Sequence, residues 1–384
     1  MIRKTTFLAA LAGFAASASA QMPGDILFTT NDRGNGSDTI QLLDYSSLTS
    51  SLLVSFPAAP DTDHRINGGI AQGPSGEFYL SNSPYPVQNP STASIYRVDN
   101  MFNAGTRTVS TFASSDPIQS VEGMAYDPLT NNLLFANNPG SDLTLPLREE
   151  GVIGIDINNA ANVSVVVPEP TFGDPLPNPV AFNVLEADRT RANNYYVGAV
   201  NGGVGTNPSI PFSTSSIINR LVMNNPADPT DVSFDMVIDL ADANTGLSES
   251  LTFIRGIASL DDGNLIVAEE DTRSLYSVEL DGNGDFVSIA KIFDLDAAFD
   301  SDNTGVYFVP FNVTYNEYTN KINYVERNAT AGDGTSRIVE INLDGTGHNV
   351  LLDDVKAGAL FIVPAPSTLA LLGLGGLAAT RRRR

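Results

Sequence analysis

Cysteine and histidine, two side chains common in nucleophilic and metal chemistry, are absent or rare in this 384-residue chain. Cysteine is absent, which excludes disulfides, thiolate metal sites and cysteine nucleophiles. The two histidines, His64 and His348, lie in polar, turn-like stretches, and we expect both on the solvated surface. Two histidines are too few for a multi-histidine metal site, and a histidine-based triad would have to use one of them.

Five polar residues stand at the start of short apolar stretches that are spread along the chain. They are Asn67, Glu122, Asn178, Arg255 and Asn312. The oxygen atoms of Glu and Asn suit a hard cation such as Ca²⁺, whereas the fixed positive charge of Arg255 opposes a metal in the same set. The alternative is that these side chains hydrogen-bond one another and water, as buried polar groups require.

A second candidate for calcium is the turn 281–285, Asp-Gly-Asn-Gly-Asp, which places Asp281, Asn283 and Asp285 at alternating positions. The acidic stretch 294–302 has a similar spacing. Neither stretch matches the complete calcium loop, which has glycine at its sixth position and a terminal glutamate. The same residue types also favour ordinary hairpin turns, so both interpretations stay open.

The elements that must position these residues are short strands. In residues 254–281, three apolar runs are separated by turns, and Tyr276, Val278 and Leu280 alternate with polar residues. Similar units of four strands recur roughly 55 to 75 residues apart, which predicts a six-bladed β-propeller with loop insertions. A pair of β-sandwiches is the alternative all-β architecture.

The first unit begins part-way, at a strand over residues 26–30, without an inner strand before it. Residues 359–363, which follow the last unit, could supply that strand. A ring closed by both ends of the chain would remove two open sheet edges. We therefore predict one propeller domain over residues 21–362, followed by a tail over residues 363–384.

Residues 1–20 have the features of a signal peptide. Arg3 and Lys4 precede a short apolar run, and Ala18 and Ala20 form a small-x-small cleavage site. The run is shorter than the roughly 20 residues that a membrane-spanning helix needs. We expect signal peptidase to cleave after Ala20 and the chain to be exported.

The charge balance is strongly acidic. The net charge is −23, and loss of both terminal segments would remove six of the 21 basic residues and none of the 44 acidic ones, giving −29. Such a surface repels nucleic acid and anionic membranes and attracts cations. Solubility alone is the simpler interpretation of the same charge.

The C-terminal segment reads VPAPSTLALLGLGGLAATRRRR and combines a proline pair, a short apolar run and four arginines, Arg381, Arg382, Arg383 and Arg384. It resembles the PEP-CTERM sorting domain of exported bacterial proteins, with the motif Pro364-Ala365-Pro366 carrying alanine where glutamate is usual. The resemblance implies that an exosortase, a membrane cysteine protease, cuts near this motif and releases or attaches the body at the outer surface. The run is marginal for a stable membrane span, so we expect transient membrane contact. A plain C-terminal anchor or a last core strand is the alternative.

The blade pattern itself carries a second resemblance. Gly-Ile-Ala, then Gly-Asn-Leu-Ile-Val-Ala, then Ser-Leu-Tyr-Ser-Val-Glu-Leu-Asp is similar to the six-bladed group that includes NHL-type and gluconolactonase-like propellers. In that group, residues at the start of the inner strands face a central channel, where the lactonase-like enzymes hold a metal with carboxylate and amide groups. The resemblance implies that the five polar residues named above line this channel.

Two functions follow as expectations. The first is a binding or structural protein of the cell surface or extracellular matrix, whose partners would be exopolysaccharide or surface proteins. Tryptophan is absent, but Tyr85, Tyr195 and Tyr196 could stack on sugars. The second is a metal-dependent lactonase- or phosphoesterase-like hydrolase that uses the channel and requires Glu122.

Overall fold

The structure, a computed structural model, describes residues 22–30, 38–56, 63–65, 68–85, 93–114, 118, 121–137, 151–168, 180–201, 215–299, 307–330 and 335–365. These residues form 25 strands and two short helices. The strands make six antiparallel sheets, the blades, arranged in a ring. The prediction of an all-β six-bladed propeller is confirmed.

The first three blades contain the following strands. Blade 1 consists of β1 (Ile26–Thr30), β2 (Thr39–Asp44) and β3 (Thr49–Ser55), joined by the last strand of the chain. Blade 2 consists of β4 (Asp63–Arg65), β5 (Ile70–Gln72), β6 (Phe78–Tyr85), β7 (Ser94–Asp99) and β8 (Thr108–Ser114). Blade 3 consists of β9 (Val121–Asp127), β10 (Asn132–Asn137), β11 (Gly151–Asp156) and β12 (Val163–Pro168).

The second half of the ring follows the same order, from the inner strand outwards. Blade 4 consists of β13 (Val180–Ala187), β14 (Asn194–Asn201), β15 (Ser215–Met223) and β16 (Val232–Asp239), followed by helix α1 (Asp242–Thr245). Blade 5 consists of β17 (Ile254–Ser259), β18 (Leu265–Glu269), β19 (Ser274–Leu280) and β20 (Phe286–Asp294), followed by helix α2 (Leu295–Phe299). Blade 6 consists of β21 (Phe308–Asn316), β22 (Lys321–Asn328), β23 (Ser336–Asn342) and β24 (Asn349–Val355). The last strand, β25, is Ala357–Ile362.

The closing strand is the one that the sequence predicts. β25 pairs antiparallel with β1, with Phe361 opposite Leu27, and so becomes the inner strand of blade 1. The Phe361 ring meets the Phe78 ring of blade 2 edge to face, with centroids 5.5 Å apart. The sheet that begins the chain is therefore completed by residues from its far end.

Packing between blades holds the ring together. The buried apolar residues form six clusters, and each cluster joins two neighbouring blades, including blade 6 to blade 1. Because every blade is buried on both faces by its neighbours, the inner and middle strands read as near-continuous apolar runs, as β10 does with all six residues buried. Apolar burial of this kind is the main favourable term in folding.

Three local features differ from the sequence-based expectations. His64 lies in an additional strand, β4, which pairs with the far end of β6, rather than in a turn. The stretch after β20 forms helix α2, because the Asp294 carboxylate accepts the Ala297 N–H at 3.0 Å and caps the first turn. Residues 300–302 of the same acidic stretch lie outside the described part of the chain.

The third difference is His348, which is not a freely solvated surface residue. Its ring nitrogen Nε2 lies 2.7 Å from Oε1 of the fully buried Glu326, and its side chain is only 17% exposed. The ring also stacks on Phe293 of blade 5, with centroids 5.3 Å apart. The buried carboxylate needs compensating partners, and the hairpin turn after β23 supplies one of them.

Candidate functional site

The inner strands of five blades have a register irregularity, and in four of these blades it carries a polar residue. Their pairing with the second strand shifts register at Glu122 in blade 3, Asn183 in blade 4, Arg255 in blade 5 and Asn312 in blade 6. A bulge of this kind leaves one residue out of the regular ladder and redirects its side chain. In these four blades, a polar residue therefore stands at the bulge of the inner strand.

Glu122, Arg255 and Asn312 border a cavity of about 370 Å³ at the centre of the ring, whereas Asn183 is not among the residues that line it. All six inner strands contribute to its wall, and Glu122, Arg255 and Asn312 are among the lining residues. Asn67 and Asn178, the other two channel candidates from the sequence, lie outside the described residues. The structure therefore brings together the three predicted channel residues that it describes.

Sequence reasoning missed Asn183, which occupies the bulge of blade 4 and is buried. The inner strand of this blade continues to Ala187 and pairs over its whole length with β14. The register of β13 against β14 identifies Asn183 as the bulged residue. This register depends on both strands, so the local sequence pattern of β13 does not reveal it.

Two glycines allow the inner strands to approach one another beside the bulges. A Cβ atom on Gly123 would lie 2.4 Å from the backbone nitrogen of Leu185 in blade 4. A Cβ atom on Gly256 would lie 2.8 Å from the backbone nitrogen of Val313 in blade 6. Any side chain at either position would force neighbouring blades apart, so these glycines set the width of the channel.

Arg255 is held by a carboxylate and an aromatic ring. Its guanidinium forms an ion pair with Glu270 and lies 3.8 Å from the centroid of the Phe253 ring. Arg327 of blade 6 contacts the same carboxylate at 2.8 Å. Burial raises the pKa of Glu270, but the two guanidinium groups outweigh burial and hold this pKa below its ordinary value. Arg255 is thus a fixed cation on the channel wall.

Asn312 has a structural task in addition to lining the channel. Its backbone has a φ of 48°, a left-handed conformation that asparagine tolerates better than most residues. Its side-chain oxygen accepts a hydrogen bond from the Leu360 N–H of the closing strand at 3.2 Å. This oxygen therefore links blade 6 to blade 1.

A second polar cluster lies where the inner strands end. Arg189 forms ion pairs with Asp261, at 2.9 Å, and with Glu317, and its guanidinium lies 5.3 Å from the Tyr315 ring centroid. Glu186 borders the cavity in the same region and is half-buried. Burial in the channel wall raises the pKa of Glu186 to about 7, against the opposing effects of the Ser259 backbone and the Arg189 charge.

The predicted calcium turn, residues 281–285, is clamped by blade 4. Arg191 donates to the backbone oxygen of Asp281 at 2.7 Å, and Arg220 donates to the backbone oxygen of Asn283. Arg220 also forms an ion pair with Asp285 at 3.3 Å. Oδ1 of Asp281 accepts the backbone N–H groups of Asn283 and Asp285, at 2.8 and 3.0 Å.

The described donor atoms do not fit a resident metal ion. Among the described residues, no three or more histidine, aspartate or glutamate side chains are grouped so that they could hold one. In the channel, Arg255 adds a positive charge and Asn312 already uses its oxygen. At the turn, Arg191 and Arg220 contact two backbone oxygens and add positive charge, which opposes a bound cation. The calcium assignment itself stays a prediction.

Two of the three tyrosines proposed as a sugar platform are buried. Tyr195 is 2% exposed and donates its hydroxyl to Asp127 at 2.7 Å, while Tyr196 is 0% exposed and donates to Asp188 at 3.0 Å. Asp127 is the last residue of inner strand β9, and Asp188 directly follows inner strand β13. Tyr195 and Tyr196 therefore serve packing, and the exposed tyrosines Tyr307 and Tyr318 are the better candidates for stacking.

Both ends of the described chain meet beside Tyr318. Gly24 and Asp25 exchange backbone hydrogen bonds with Val363, and the Ala365 N–H donates to the Tyr318 hydroxyl at 2.6 Å. Pro364 lines the cavity. The proline motif thus begins at the mouth of the channel where the inner strands end. The remaining motif residues, Pro366 and the four arginines, lie outside the described residues, as do Ala18 and Ala20.

Comparison with known proteins identifies this C-terminal segment. Residues 363–384 match the PEP-CTERM protein-sorting motif. The motif marks proteins that are exported and sorted to the cell surface by exosortase, a membrane protease. Within the described residues, no helix is long and apolar enough to cross a membrane.

Solved structures are similar to the body in fold. A protein from Lactobacillus plantarum aligns with 13% identity over 89% of this chain and 100% of its own, with a TM-score of 0.49. A luciferin-regenerating enzyme aligns with 12% identity over 80% and 79%, with a TM-score of 0.46. A provisionally named 6-phosphogluconolactonase from Bacteroides fragilis aligns with 10% identity over 88% and 98%, with a TM-score of 0.50. A search of curated proteins found no match.

The fold and the tail together define the class of protein. It is a six-bladed β-propeller that carries a PEP-CTERM sorting motif and is exported by way of exosortase.

Proposed function

We propose that this protein is a cell-surface binding protein that takes up a small polar ligand in its channel, without catalysis. The observation that carries the proposal is the convergence of Glu122, Arg255 and Asn312 on one cavity from three different blades. Each projects from a bulge, and bulges are frequent beside binding sites. The cavity volume, about 370 Å³, falls within the usual range for small-molecule pockets.

The chemistry of the wall favours a hydroxylated ligand such as a sugar or a segment of polysaccharide. The Glu122 carboxylate offers acceptors, and the Arg255 guanidinium and the Asn312 amide nitrogen offer donors, which suits hydroxyl groups because each hydroxyl both donates and accepts. Tyr318 adds an aromatic face at one mouth, where it is 40% exposed. A surface location would bring the channel into contact with exopolysaccharide.

The test is retention on the producing cell's own exopolysaccharide and calorimetric titration with its oligosaccharides. We expect retention above that of an unrelated acidic protein, and at least a tenfold loss of affinity in Arg255→Gln, since the ligand then loses a charged donor. Arg97→Gln is the matched control, because it also breaks an ion pair, with Asp99 at 2.8 Å, but lies outside the channel. Equal binding by both variants would contradict the proposal.

The metal-dependent hydrolase is the second function predicted from the sequence, and it has a separate test. It requires turnover of lactones or phosphoesters in the presence of Ca²⁺ and loss of that turnover in Glu122→Gln. The described donor set, with Arg255 on the wall, does not favour this function. We therefore expect the unmutated protein to leave a lactone panel unchanged.

A further inference from the structure

The first three residues of the sorting motif belong to the folded body. Val363 is 0% exposed and packs in the cluster between blades 1 and 2. Its N–H donates to the Asp25 carbonyl at 2.8 Å, and its carbonyl accepts the Gly24 N–H at 3.1 Å. The carbonyl of the Val363–Pro364 peptide bond is therefore already engaged.

The next peptide bond is held as well. The N–H of Ala365, which belongs to the Pro364–Ala365 peptide, donates to the Tyr318 hydroxyl at 2.6 Å. Tyr318 is positioned by its own N–H, which donates to the side-chain oxygen of Asn316 at 3.2 Å. Asn316 is fully buried and also donates to the Gly24 carbonyl at 3.0 Å. One turn of blade 6 thus fastens both ends of the described chain.

A cysteine protease cannot act on a peptide bond in this state. The thiolate must reach the carbonyl carbon, and the carbonyl oxygen must turn into the oxyanion hole of the enzyme. Proteolysis therefore concentrates at exposed, weakly held chain or follows local opening. The two bonds before Ala365 could be cut only after the chain end is released from Gly24 and Tyr318.

We propose that the folded body limits processing: the sorting protease cuts no earlier than the bond that follows Ala365, and the mature protein keeps the whole closing strand together with Val363, Pro364 and Ala365. In the cut, one peptide bond breaks and its carbonyl carbon bonds to the oxygen of water or to an acceptor amine. The nitrogen of the following residue leaves with the tail as an amine. This inference does not depend on the ligand proposed for the channel.

The linker between the folded body and the apolar run of the tail is short. Only residues 366–368 separate Ala365 from the apolar run that begins at Leu369. Even a fully extended chain spans only about 10 Å over three residues. The protease must therefore approach the motif directly against the mouth of the channel that carries Tyr318, and the bonds on the body side are the least accessible.

The first experiment is the intact mass of the mature protein recovered from cells that process it. We expect a C-terminus at Ala365 or beyond, with residues 369–384 removed. A mature chain that ends at Pro364 or earlier would overturn the proposal. An uncut chain that still ends at Arg384 would also overturn it, because the proposal requires a cut.

The second experiment measures the hydrogen bond between the Ala365 amide and the Tyr318 hydroxyl. Hydrogen exchange at the Ala365 amide in the purified full chain should be at least tenfold faster in Tyr318→Phe than in the unmutated protein, since the acceptor hydroxyl is lost. Tyr307→Phe is the matched control, because Tyr307 is similarly exposed, at 44%, but lies away from the motif. Equal exchange in both variants would overturn the assigned role of Tyr318.

Discussion

Glu186, on the channel wall, has a pKa well above that of a solvated carboxylate. It borders the channel, and burial there raises its pKa from 4.5 to about 7. A carboxyl group with this pKa is partly protonated near neutral pH and can both donate and accept hydrogen bonds. The polarity of the channel should therefore change around pH 7.

This pKa shift predicts a particular dependence of stability on pH. Below pH 4.5, Glu186 is protonated in the folded and the unfolded chain alike. Between pH 4.5 and about 7, the unfolded chain loses the proton while the folded chain keeps it, so the free energy of unfolding falls as pH rises. Glu186→Gln should lack this fall and become the more stable protein above pH 7.

Urea unfolding of both proteins at several pH values checks the prediction. The difference in unfolding free energy between Glu186→Gln and the unmutated protein should grow from pH 4.5 to 7 and then stay level. Glu279→Gln, at an exposed position, serves as the control and should follow the unmutated protein. Parallel pH profiles for all three proteins would show that Glu186 titrates as an ordinary carboxyl.

The acidic turn 281–285 gives a second prediction at this scale. Calcium should leave the melting temperature of the protein unchanged at constant ionic strength, because Arg191 and Arg220 already occupy backbone oxygens of the turn. A bound ion would raise the melting temperature, since it binds only the folded form. A rise with calcium that disappears in Asp281→Asn would restore the calcium site.

At the scale of elements, the closing strand β25 is the one whose disruption should lower stability most. Ala359 of β25 is 0% exposed, and its N–H donates to the Thr29 hydroxyl at 2.9 Å. A glutamate there would bury an unpaired charge between blades and should lower the free energy of unfolding by about 3 kcal/mol or more. Leu52→Glu, on outer strand β3 at 61% exposure, should change it by less than about 0.5 kcal/mol.

Thermal or urea unfolding of Ala359→Glu and Leu52→Glu provides the comparison. Similar losses of unfolding free energy in the two variants would mean that β25 contributes no more to stability than the outer strand β3. A loss confined to Ala359→Glu would show that closure of the ring is a main source of stability.

The strands could be predicted from the sequence because the alternation of apolar and polar residues is a local pattern. The closure could be predicted because the first unit lacks an inner strand. Alternation in residues 274–280 identifies β19, and the absence of an inner strand before Ile26 indicates that the chain end must supply one. The bulges could not be predicted, because a register shift depends on two paired strands. The burial of Tyr195 was missed for a similar reason: its hydroxyl partner, Asp127, lies on a neighbouring blade.

At the scale of the whole molecule, closure and export meet in the same few residues. The apolar cluster between blades 6 and 1 includes residues from β1, blade 6 and β25. The ring is therefore complete only when β25 is in place. The sorting motif begins at the next residue after β25. In the folded propeller, the first residues of the motif are therefore held by the body.

A cysteine pair across the closure tests the central claim most directly. The chain has no cysteine of its own, so Leu27→Cys combined with Phe361→Cys introduces the only two thiols. These residues are directly opposite in antiparallel strands, and such pairs have Cα separations that a disulfide can bridge. We expect near-complete intramolecular disulfide formation under mild oxidation and a higher melting temperature than that of the reduced protein. Free thiols after oxidation of the folded protein would contradict closure of the ring by β25.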